Sequence, residues 1–184
     1  MDISKLEDKG SLDFGSGLFS SSMSLAVYRN TGQVVVWKKV DIKSILANCK
    51  VQSRERSKLE KHLRHEEELL RSCDHPHIIK LFSYFEMPTN VLNLILESCP
   101  GGTLNLAIEQ ANGETFNESK VRKWLNDLAK ALDYLHNNHD PQILHRNIKD
   151  EVSLIGLEIE VLIYLFSKKK TIITECLFHC QWRR

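Results

Sequence analysis

Two charged side chains stand where apolar ones are expected. Lys38 lies in the segment 34–40, where the other alternate residues are valine, and alternate residues of a strand share one face. Glu66 lies in the segment 53–73, at helical spacing within a stripe of Leu59, Leu63, Leu70 and Cys73. A buried ammonium or carboxylate is costly unless it is paired. We therefore predict a buried Lys38–Glu66 ion pair, which is weak evidence for stability and good evidence for a functional site.

The neighbouring charges have simpler interpretations. Lys39 points to the opposite face of the same strand, and Glu67 and Glu68 lie off the helical stripe, so all three are expected to be solvated. An alternative for Lys38 is a side chain that buries its methylene groups at a sheet margin and keeps its ammonium in water.

Two glycines, Gly15 and Gly17, precede the first predicted pair of strands. Glycine accepts backbone angles that other residues avoid and has no side chain in the way, so nearby backbone N–H groups can approach phosphate oxygens. Without further context, a G-x-G pair is more often a flexible β-turn. The pattern alone leaves both interpretations open.

Strands and helices alternate along the chain that carries these residues. Residues 12–40 are predicted to be β structure, with a glycine-containing hairpin turn in "RNTGQ". A helix is predicted over 53–73, and two apolar strands over 78–86 and 91–97. The sequence "PGG" at 100–102 breaks the chain after them.

A second helix is predicted to follow. The sequence "TFNE" at 115–118 matches a Thr-x-x-Glu capping box. Apolar residues then recur at spacings of 4, 3, 4 and 3 on one apolar face, formed by Val121, Leu125, Leu128, Leu132 and Leu135. A β-rich front half followed by helices predicts an α+β fold.

The composition is that of a folded, charge-balanced domain. Hydrophobic residues make up 42% of the 184 residues, which is enough for a core. The 25 Lys and Arg residues nearly balance the 24 Asp and Glu residues, so no nucleic acid or membrane partner is expected. The apolar run 152–166 contains Glu158 and Glu160 and is too short to span a membrane. Residues 1–15 have no apolar centre, so no signal peptide is expected.

The cysteines indicate a reducing compartment. There are 5 of them, at Cys49, Cys73, Cys99, Cys176 and Cys180. An odd number without a secretory signal predicts free thiols in a cytoplasmic or nuclear protein. The sequence "CLFHC" at 176–180 offers too few ligands to close a tetrahedral zinc site, so no metal site is predicted.

Taken in order, these motifs resemble the protein kinase family. "GSGLF" is similar to a glycine-rich loop, "VVVWKK" to the strand whose lysine pairs the ATP phosphates, and Glu66 to the helix glutamate that holds this lysine. "LAKALDYLHNN" and "ILHRNIK" resemble the helix and the catalytic loop of a kinase. "VWK" and the insert "NNHDPQ" are most similar to the NIMA-related serine/threonine kinases. The resemblance covers roughly residues 12–155.

The resemblance implies an ATP site. The residues that would line it are Gly15, Gly17, Val36, Lys38, Glu66, Leu96, Glu97, Cys99 and Leu154. By the resemblance, Leu96 is the gatekeeper, the segment from Glu97 to Cys99 offers backbone groups to adenine, and Leu154 closes the floor of the pocket.

The catalytic loop departs from the family pattern. Asn147 replaces the aspartate that accepts the substrate hydroxyl proton, and Val152 replaces an asparagine that binds magnesium. Lys149 is retained at the position that neutralises the transferring phosphoryl group. The letters Asp-Phe-Gly, which supply another magnesium ligand in kinases, occur only at 13–15, before the glycine-rich loop. Little or no phosphotransfer is therefore expected.

The hypothesis is a partial kinase domain over residues 12–155, between an N-terminal extension at 1–11 and a divergent tail at 156–184. It implies a kinase-like N-lobe, made of an antiparallel sheet and a helix, and a truncated helical C-lobe. The expected cofactor is ATP, bound weakly and with little dependence on magnesium. Besides the nucleotide, a protein partner or a second copy of the chain is expected to bind the exposed C-lobe helix.

Two alternatives stay open. One is a pseudokinase module that binds a nucleotide or a partner kinase and regulates it by contact. The other is a truncated isoform or defective gene copy without a selected function. A nucleotide-binding measurement separates these two alternatives.

Overall fold

A computed structural model of the chain describes residues 3–12, 21–48, 53–145, 148, 153–156 and 161–163. The description excludes the side chains of residues 3, 21, 53–55, 62, 66 and 161. The strands are β1 (Leu6–Leu12), β2 (Ser21–Tyr28), β3 (Val34–Asp41), β4 (Leu81–Glu86), β5 (Val91–Glu97), β6 (Ser153–Ile155) and β7 (Val161–Ile163). The helices are α1 (Ile42–Asn48), α2 (Ser53–Ser72), α3 (Leu104–Gln110) and α4 (Glu118–Asp133), and a single π-helical turn (Tyr134–Asn138) continues α4. This arrangement confirms the predicted α+β fold.

The described residues form two compact units. The first contains the described residues up to 69 together with 81–97, and the second contains 70–80 together with the described part of 98–166. The last turn of α2 thus belongs to the second unit.

The first unit is built on an antiparallel sheet of five strands in the order β1-β2-β3-β5-β4. The predicted hairpin is formed by β2 and β3. At its turn Gly32 has a φ of 69° and donates its N–H to the carbonyl of Tyr28 at 2.7 Å. Glycine adopts this left-handed angle without a steric penalty, which is why the turn forms here.

The strand β1 was not predicted. Its sequence LEDKGSL is polar and contains a glycine, yet it pairs with β2 from Leu6 to Leu12, with an irregularity between Asp8 and Gly10. The sheet therefore begins within residues 1–11, which the sequence indicated to be an extension. Charged side chains are common on such an edge strand, because they discourage pairing with another chain.

The helix α1 follows β3 directly and was also missed by the sequence patterns. The backbone N–H of Ser44 donates to one carboxylate oxygen of Asp41 at 2.9 Å, and the Ser44 hydroxyl donates to the other at 2.6 Å. The Ser44 hydroxyl, followed by the Ser44 backbone N–H, holds the pKa of Asp41 below its usual value. Asp41 thus supplies the N-terminal cap of α1.

The predicted helix over 53–73 is confirmed as α2. Arg64 of this helix pairs with Glu60 one turn earlier at 3.2 Å, and also with Glu86 at the end of β4.

The predicted strand over 78–86 begins only at Leu81, because the backbone before Leu81 forms hydrogen bonds with β7. Ile163 of β7 donates to the carbonyl of His77 at 3.0 Å and accepts from the N–H of Ile79 at 3.1 Å.

One hydrophobic cluster of the first unit lies on the face of the sheet opposite Lys38. Fully buried side chains from β2, β3 and β5 meet there, and partly buried ones from β1, β3 and β4 pack around them: Ala26, Tyr28, Val35 and Ile95, with Leu6, Trp37, Phe82 and Phe85. Burial of such side chains typically contributes about 1.5–3 kcal/mol each.

In the second unit the hairpin β6–β7 lies between the two described helices, with α3 against β6 and α4 against β7. Trp124 of α4 and Ile155 of β6 are buried together, and Phe116 meets the Trp124 ring edge-on at 5.2 Å between centroids. Leu162 and Ile163 of β7 are also buried. The apolar run 152–166 thus contributes both strands of this hairpin.

The predicted cap of α4 is wrong, and the predicted apolar face is only partly buried. The cap is Asn117, whose side chain accepts the N–H of Ser119 at 2.8 Å, and not the Thr115–Glu118 capping box. The buried positions are Trp124, Asp127 and Ala131, followed by Leu135 in the π turn, whereas Leu125 is 62% exposed. Because the Trp124 ring packs against β6 and Phe116, the side of α4 that carries Trp124 faces inward.

Among the described residues, no helix is long and apolar enough to cross a membrane.

Candidate nucleotide site

One face of β3 carries the residues that the sequence placed near the phosphates. The strand register sets Lys38 opposite Leu94 of β5 and Val36 opposite Leu96. Directly opposed residues of antiparallel strands lie on the same face. Val36, Lys38 and Leu96 therefore share one face of the sheet, as the alternation of residues 34–40 predicted.

Lys38 is buried on that face, with 6% of its surface exposed. Leu96 is buried beside it, and Val36 and Glu97 are half-buried. This degree of burial excludes the alternative in which Lys38 extends into water at a sheet margin.

Lys39 occupies the other face, as predicted, but it is not simply solvated. Its ammonium lies 3.2 Å from the carboxylate of Asp8 and 4.0 Å from the centroid of the Trp37 ring. Its side chain is 34% exposed. Two adjacent lysines of one strand thus have opposite environments, one buried and one at the surface.

The glutamates of α2 require a correction. Glu67, expected to be solvated, is only 8% exposed, whereas the side chain of Glu68 is 67% exposed. Leu59 and Leu70 are buried, so the predicted stripe is the inward face of α2 in outline. The side chain of Glu66 lies outside the described residues, and its predicted pairing with Lys38 stays a prediction. Glu67 lies about 80° around the helix from Leu59, which places it outside the narrow stripe of the sequence pattern. The sequence pattern therefore did not indicate that Glu67 is buried.

The segment after β5 is tied to β6. Gly101 donates its N–H to the carbonyl of Ile155 at 3.0 Å, and Ile155 donates to the carbonyl of Gly102 at 2.9 Å. A Cβ atom at Gly101 would lie 2.6 Å from the Ile155 side chain, so this approach requires glycine. Cys99 and Leu154 are both half-buried, and Leu154 forms a backbone bridge with Thr103.

Several predicted site residues lie outside the described residues. Gly15 and Gly17 fall in the segment 13–20, and Asn147, Lys149 and Val152 fall in the gaps around residue 148. Their roles stay predictions from the resemblance. His145, immediately before these gaps, is described and is 3% exposed.

A buried polar group in the second unit gave no signal in the sequence. His77 Nε2 lies 3.4 Å from a carboxylate oxygen of Asp127, and the other carboxylate oxygen lies 3.4 Å from the ammonium of Lys123. Asp127 is 4% exposed. An aspartate in a helix is normally expected at the surface, and nothing in the sequence around Asp127 indicates otherwise. Only the packing of the second unit shows that Asp127 is buried.

The described part of the chain offers no metal site. No group of three or more His, Cys, Asp or Glu side chains within it is arranged to hold a metal ion. Cys73 and Cys99 are free thiols, and burial raises the pKa of Cys73. Cys49, Cys176 and Cys180 lie outside the described residues.

A five-stranded antiparallel sheet with a buried lysine on its third strand, followed along the chain by a long helix, matches the kinase-like N-lobe that the resemblance implied. Residues 11–163 match the family model described as a protein kinase domain. The chain belongs to the protein kinase family. As a kinase-family chain it is expected to bind ATP, and the matched region includes all of the site residues named above.

Individual relatives of this kinase-family chain are serine/threonine kinases. It is 31% identical to serine/threonine-protein kinase Nek4 of Mus musculus over 129 residues, which are 70% of this chain and 15% of that protein. It is 31% identical to Aurora kinase of Schizosaccharomyces pombe over 147 residues, which are 80% of this chain and 37% of that protein. It is 34% identical to Aurora/IPL1-related protein kinase 2 of Caenorhabditis elegans over 103 residues, or 56% of this chain and 32% of that protein. The chain thus spans well under half the length of these relatives.

Proposed function

We propose that this chain binds ATP at the site of its family and transfers phosphate weakly or not at all. The observation that carries the binding part is the buried ammonium of Lys38 on the same sheet face as Val36 and Leu96. A lysine ammonium held in a low-dielectric site is a strong partner for phosphate oxygens.

The proposed loss of catalysis rests on two residues of the catalytic loop. Asn147 can accept a hydrogen bond from a substrate hydroxyl but cannot take its proton. Loss of a general base typically lowers the rate about 10²–10⁴-fold, or on the order of 3–5 kcal/mol of barrier. Val152 has no oxygen to offer a metal ion, so the magnesium that neutralises developing charge is poorly held.

The same residues support weak nucleotide binding that depends little on magnesium. ATP would be held by Lys38, by the glycines at 15 and 17, and by the apolar residues Val36 and Leu96. A kinase normally adds metal bridges between the protein and the phosphates. Because Val152 cannot bind magnesium, those metal bridges contribute less to the ATP affinity.

A thermal-shift titration tests this proposal, with ATP added in the presence and absence of magnesium. ATP should raise the melting temperature of the wild-type chain, since a ligand that binds only the folded state stabilises it. Lys38→Ala should abolish the shift. Lys39→Ala is the matched control, because it removes the same side chain from the next position on the opposite sheet face, and it should keep the shift.

Two results would contradict the proposal. Equal loss of the shift in Lys38→Ala and Lys39→Ala would mean that ATP stabilises the chain through surface charge. A shift that occurs only with magnesium would mean that the chain holds the metal despite Val152.

A second candidate function is an interaction module that regulates a partner kinase or a second copy of the chain. It is favoured by Leu125, a large apolar side chain of α4 that is 62% exposed. Binding of a partner without ATP binding would favour this candidate.

We also propose that the chain belongs with the NIMA-related kinases, on the basis of "VWK", the insert "NNHDPQ" and the similarity to Nek4.

A further inference from the structure

The turn at residues 99–102, which follows β5 in the chain, is held in place by the strand β6. Within the turn the N–H of Gly102 donates to the carbonyl of Cys99 at 3.1 Å. Two further hydrogen bonds join the turn to β6. The N–H of Gly101 donates to the carbonyl of Ile155 at 3.0 Å, and the N–H of Ile155 donates to the carbonyl of Gly102 at 2.9 Å. The turn thus pairs with β6 as a neighbouring strand would.

The strand β6 has one anchoring face and one half-buried face. Ser153 and Ile155 are 3% and 8% exposed, whereas Leu154 between them is half-buried. Because alternate residues of a strand point to opposite faces, Ser153 and Ile155 anchor β6 in the second unit while Leu154 lies on the other face. An antiparallel bridge pairs Leu154 with Thr103 and extends the contact beyond the turn.

The side chain of Ile155 connects β6 to the core of the second unit. It is buried together with Trp124 of α4, and Leu104, Ala107 and Phe116 pack around these two residues. Closely packed side chains leave little room for displacement. The packing against α3 and α4 therefore fixes β6, and β6 in turn fixes the backbone of the turn.

Gly101 brings the turn closer to β6 than any other residue would. A Cβ atom at residue 101 would lie 2.6 Å from Cγ2, 2.7 Å from Cβ and 2.8 Å from the carbonyl oxygen of Ile155. Rotation of the Ile155 side chain would move its methyl group, but the carbonyl oxygen belongs to the backbone and accepts the N–H of Gly101. A side chain at residue 101 therefore has to push the turn away from β6.

The turn begins at a residue that the resemblance to kinases assigns to the nucleotide site. By that resemblance, the segment from Glu97 to Cys99 offers backbone groups to adenine. A hydrogen bond to a base requires donor and acceptor to lie about 2.7–3.2 Å apart in a nearly linear arrangement, so a small backbone shift weakens it. Phosphate groups are held by charge, and this attraction falls off slowly with distance. A displaced turn should therefore weaken recognition of the base more than recognition of the phosphates.

We propose that the contact between Gly101 and Ile155 positions the base-binding backbone of the turn and thereby selects adenine over other bases. Gly101 and Ile155 are positioning residues, because they act through the backbone of the turn and not by touching the nucleotide. The inference rests on the proposed binding of ATP, and it adds the part of the second unit that recognises the base.

The test compares the affinities of the wild-type chain and Gly101→Ala for ATP and for GTP, measured by titration calorimetry. GTP has the same triphosphate and also carries a purine, but a carbonyl replaces the amino group of adenine, so its edge offers a different hydrogen-bond pattern. The wild type should prefer ATP. In Gly101→Ala the ATP affinity should fall about tenfold, as for the loss of one well-placed hydrogen bond, while the GTP affinity should stay within about twofold.

Gly113→Ala is the matched control in the same unit. Gly113 lies between α3 and α4 with a φ of 88°, so alanine is strained there, but a Cβ atom at this residue would have no neighbour within 4 Å. This variant should lower the melting temperature and keep the wild-type preference for ATP. It separates a general loss of stability from a loss of base recognition.

A wild-type chain that binds ATP and GTP equally tightly, or a Gly101→Ala variant that keeps the full preference for ATP, would overturn the positioning role and leave the proposed ATP binding intact. A wild-type chain that binds neither nucleotide would overturn both. If Gly101→Ala does not fold, amide hydrogen exchange of the wild type decides. The amides of Gly101 and Ile155 should exchange more slowly with saturating ATP than with saturating GTP, and equal exchange rates would contradict the role.

Discussion

The indole N–H of Trp37 donates to the side-chain oxygen of Asn93 at 2.9 Å, across the strands β3 and β5. Asn93 is 1% exposed, and its side-chain nitrogen donates to the carbonyl of Val91 at 3.0 Å. The amide of Asn93 is thus bonded at both ends inside the sheet. This pair lies on the face opposite Lys38 and fixes the two strands that carry the nucleotide-site residues.

Asn93→Leu should lower the free energy of unfolding by about 1–3 kcal/mol, because the buried indole N–H is left without its acceptor. Urea denaturation measures this change. Trp37→Phe removes the donor instead and should cost a similar amount, while the double variant should cost less than the sum of the two. Strict additivity would mean that the hydrogen bond contributes nothing to stability.

Glu67→Gln should lower the free energy of unfolding by about 1–3 kcal/mol, because Glu67 is buried and an amide does not reproduce the hydrogen bonding of a carboxylate. Glu68→Gln is the matched control. The side chain of Glu68 is 67% exposed, so its change should stay within about 0.5 kcal/mol. Glu66→Gln examines the sequence-based pairing with Lys38. Loss of the ATP-induced thermal shift in Glu66→Gln but not in Glu67→Gln would support that pairing.

Asn147→Asp should not restore phosphotransfer beyond about tenfold, although a general base alone is worth about 10²–10⁴-fold. The change returns the carboxylate, but Val152 still offers no ligand to magnesium, and residues that act as a unit are not repaired singly. Transfer of labelled phosphate to a generic protein substrate measures the rate. Asn147→Asp combined with Lys38→Ala shows the background from contaminating kinases. A much larger gain in Asn147→Asp alone would mean that the base was the only decisive loss.

Leu125→Gln should reduce self-association of the chain. Leu125 is 62% exposed on α4, and burying this apolar side chain against a second copy of the chain would be favourable. Size-exclusion chromatography with light scattering at tens of micromolar protein reports the oligomeric state. Asn126→Ala, at the next exposed position of the same helix, is the control and should behave like the wild type. A wild-type chain that is already monomeric and does not bind a hydrophobic dye would rule out this interface.

Asp41→Asn should reveal a pH-dependent contribution of the α1 cap. Hydrogen bonds from Ser44 lower the pKa of Asp41 in the folded state, so the charged form stabilises the fold above the unfolded-state value of about 3.9. This stability is lost as the pH falls through the lower folded-state pKa. Chemical denaturation from pH 2 to pH 6 should show the wild type more stable than Asp41→Asn at the upper end only. A difference that is constant over this range would assign it to the shape of the cap and not to its charge.

Local patterns in the sequence were sufficient for the central elements of the first unit. Alternation over residues 34–40 placed Lys38 and Val36 on one sheet face, and "RNTGQ" marked the hairpin turn. These features depend on neighbours in the chain, because side-chain alternation and a left-handed glycine are properties of the backbone itself. The family resemblance was likewise carried by short motifs in a fixed order, and the match over residues 11–163 agrees with it.

The tertiary structure decided which side of each helix faces inward. Neighbouring residues of a helix are about 100° apart and an apolar stripe is at least about as wide, so the pattern alone does not decide which of Leu125 and its neighbour Trp124 is the more buried. Packing of Trp124 against Ile155 made Trp124 a buried position of α4, and Glu67 of α2 is buried although it lies off the predicted stripe. The polar strand β1 likewise exists because β2 offers it a ladder of backbone partners, which no pattern within residues 6–12 reveals.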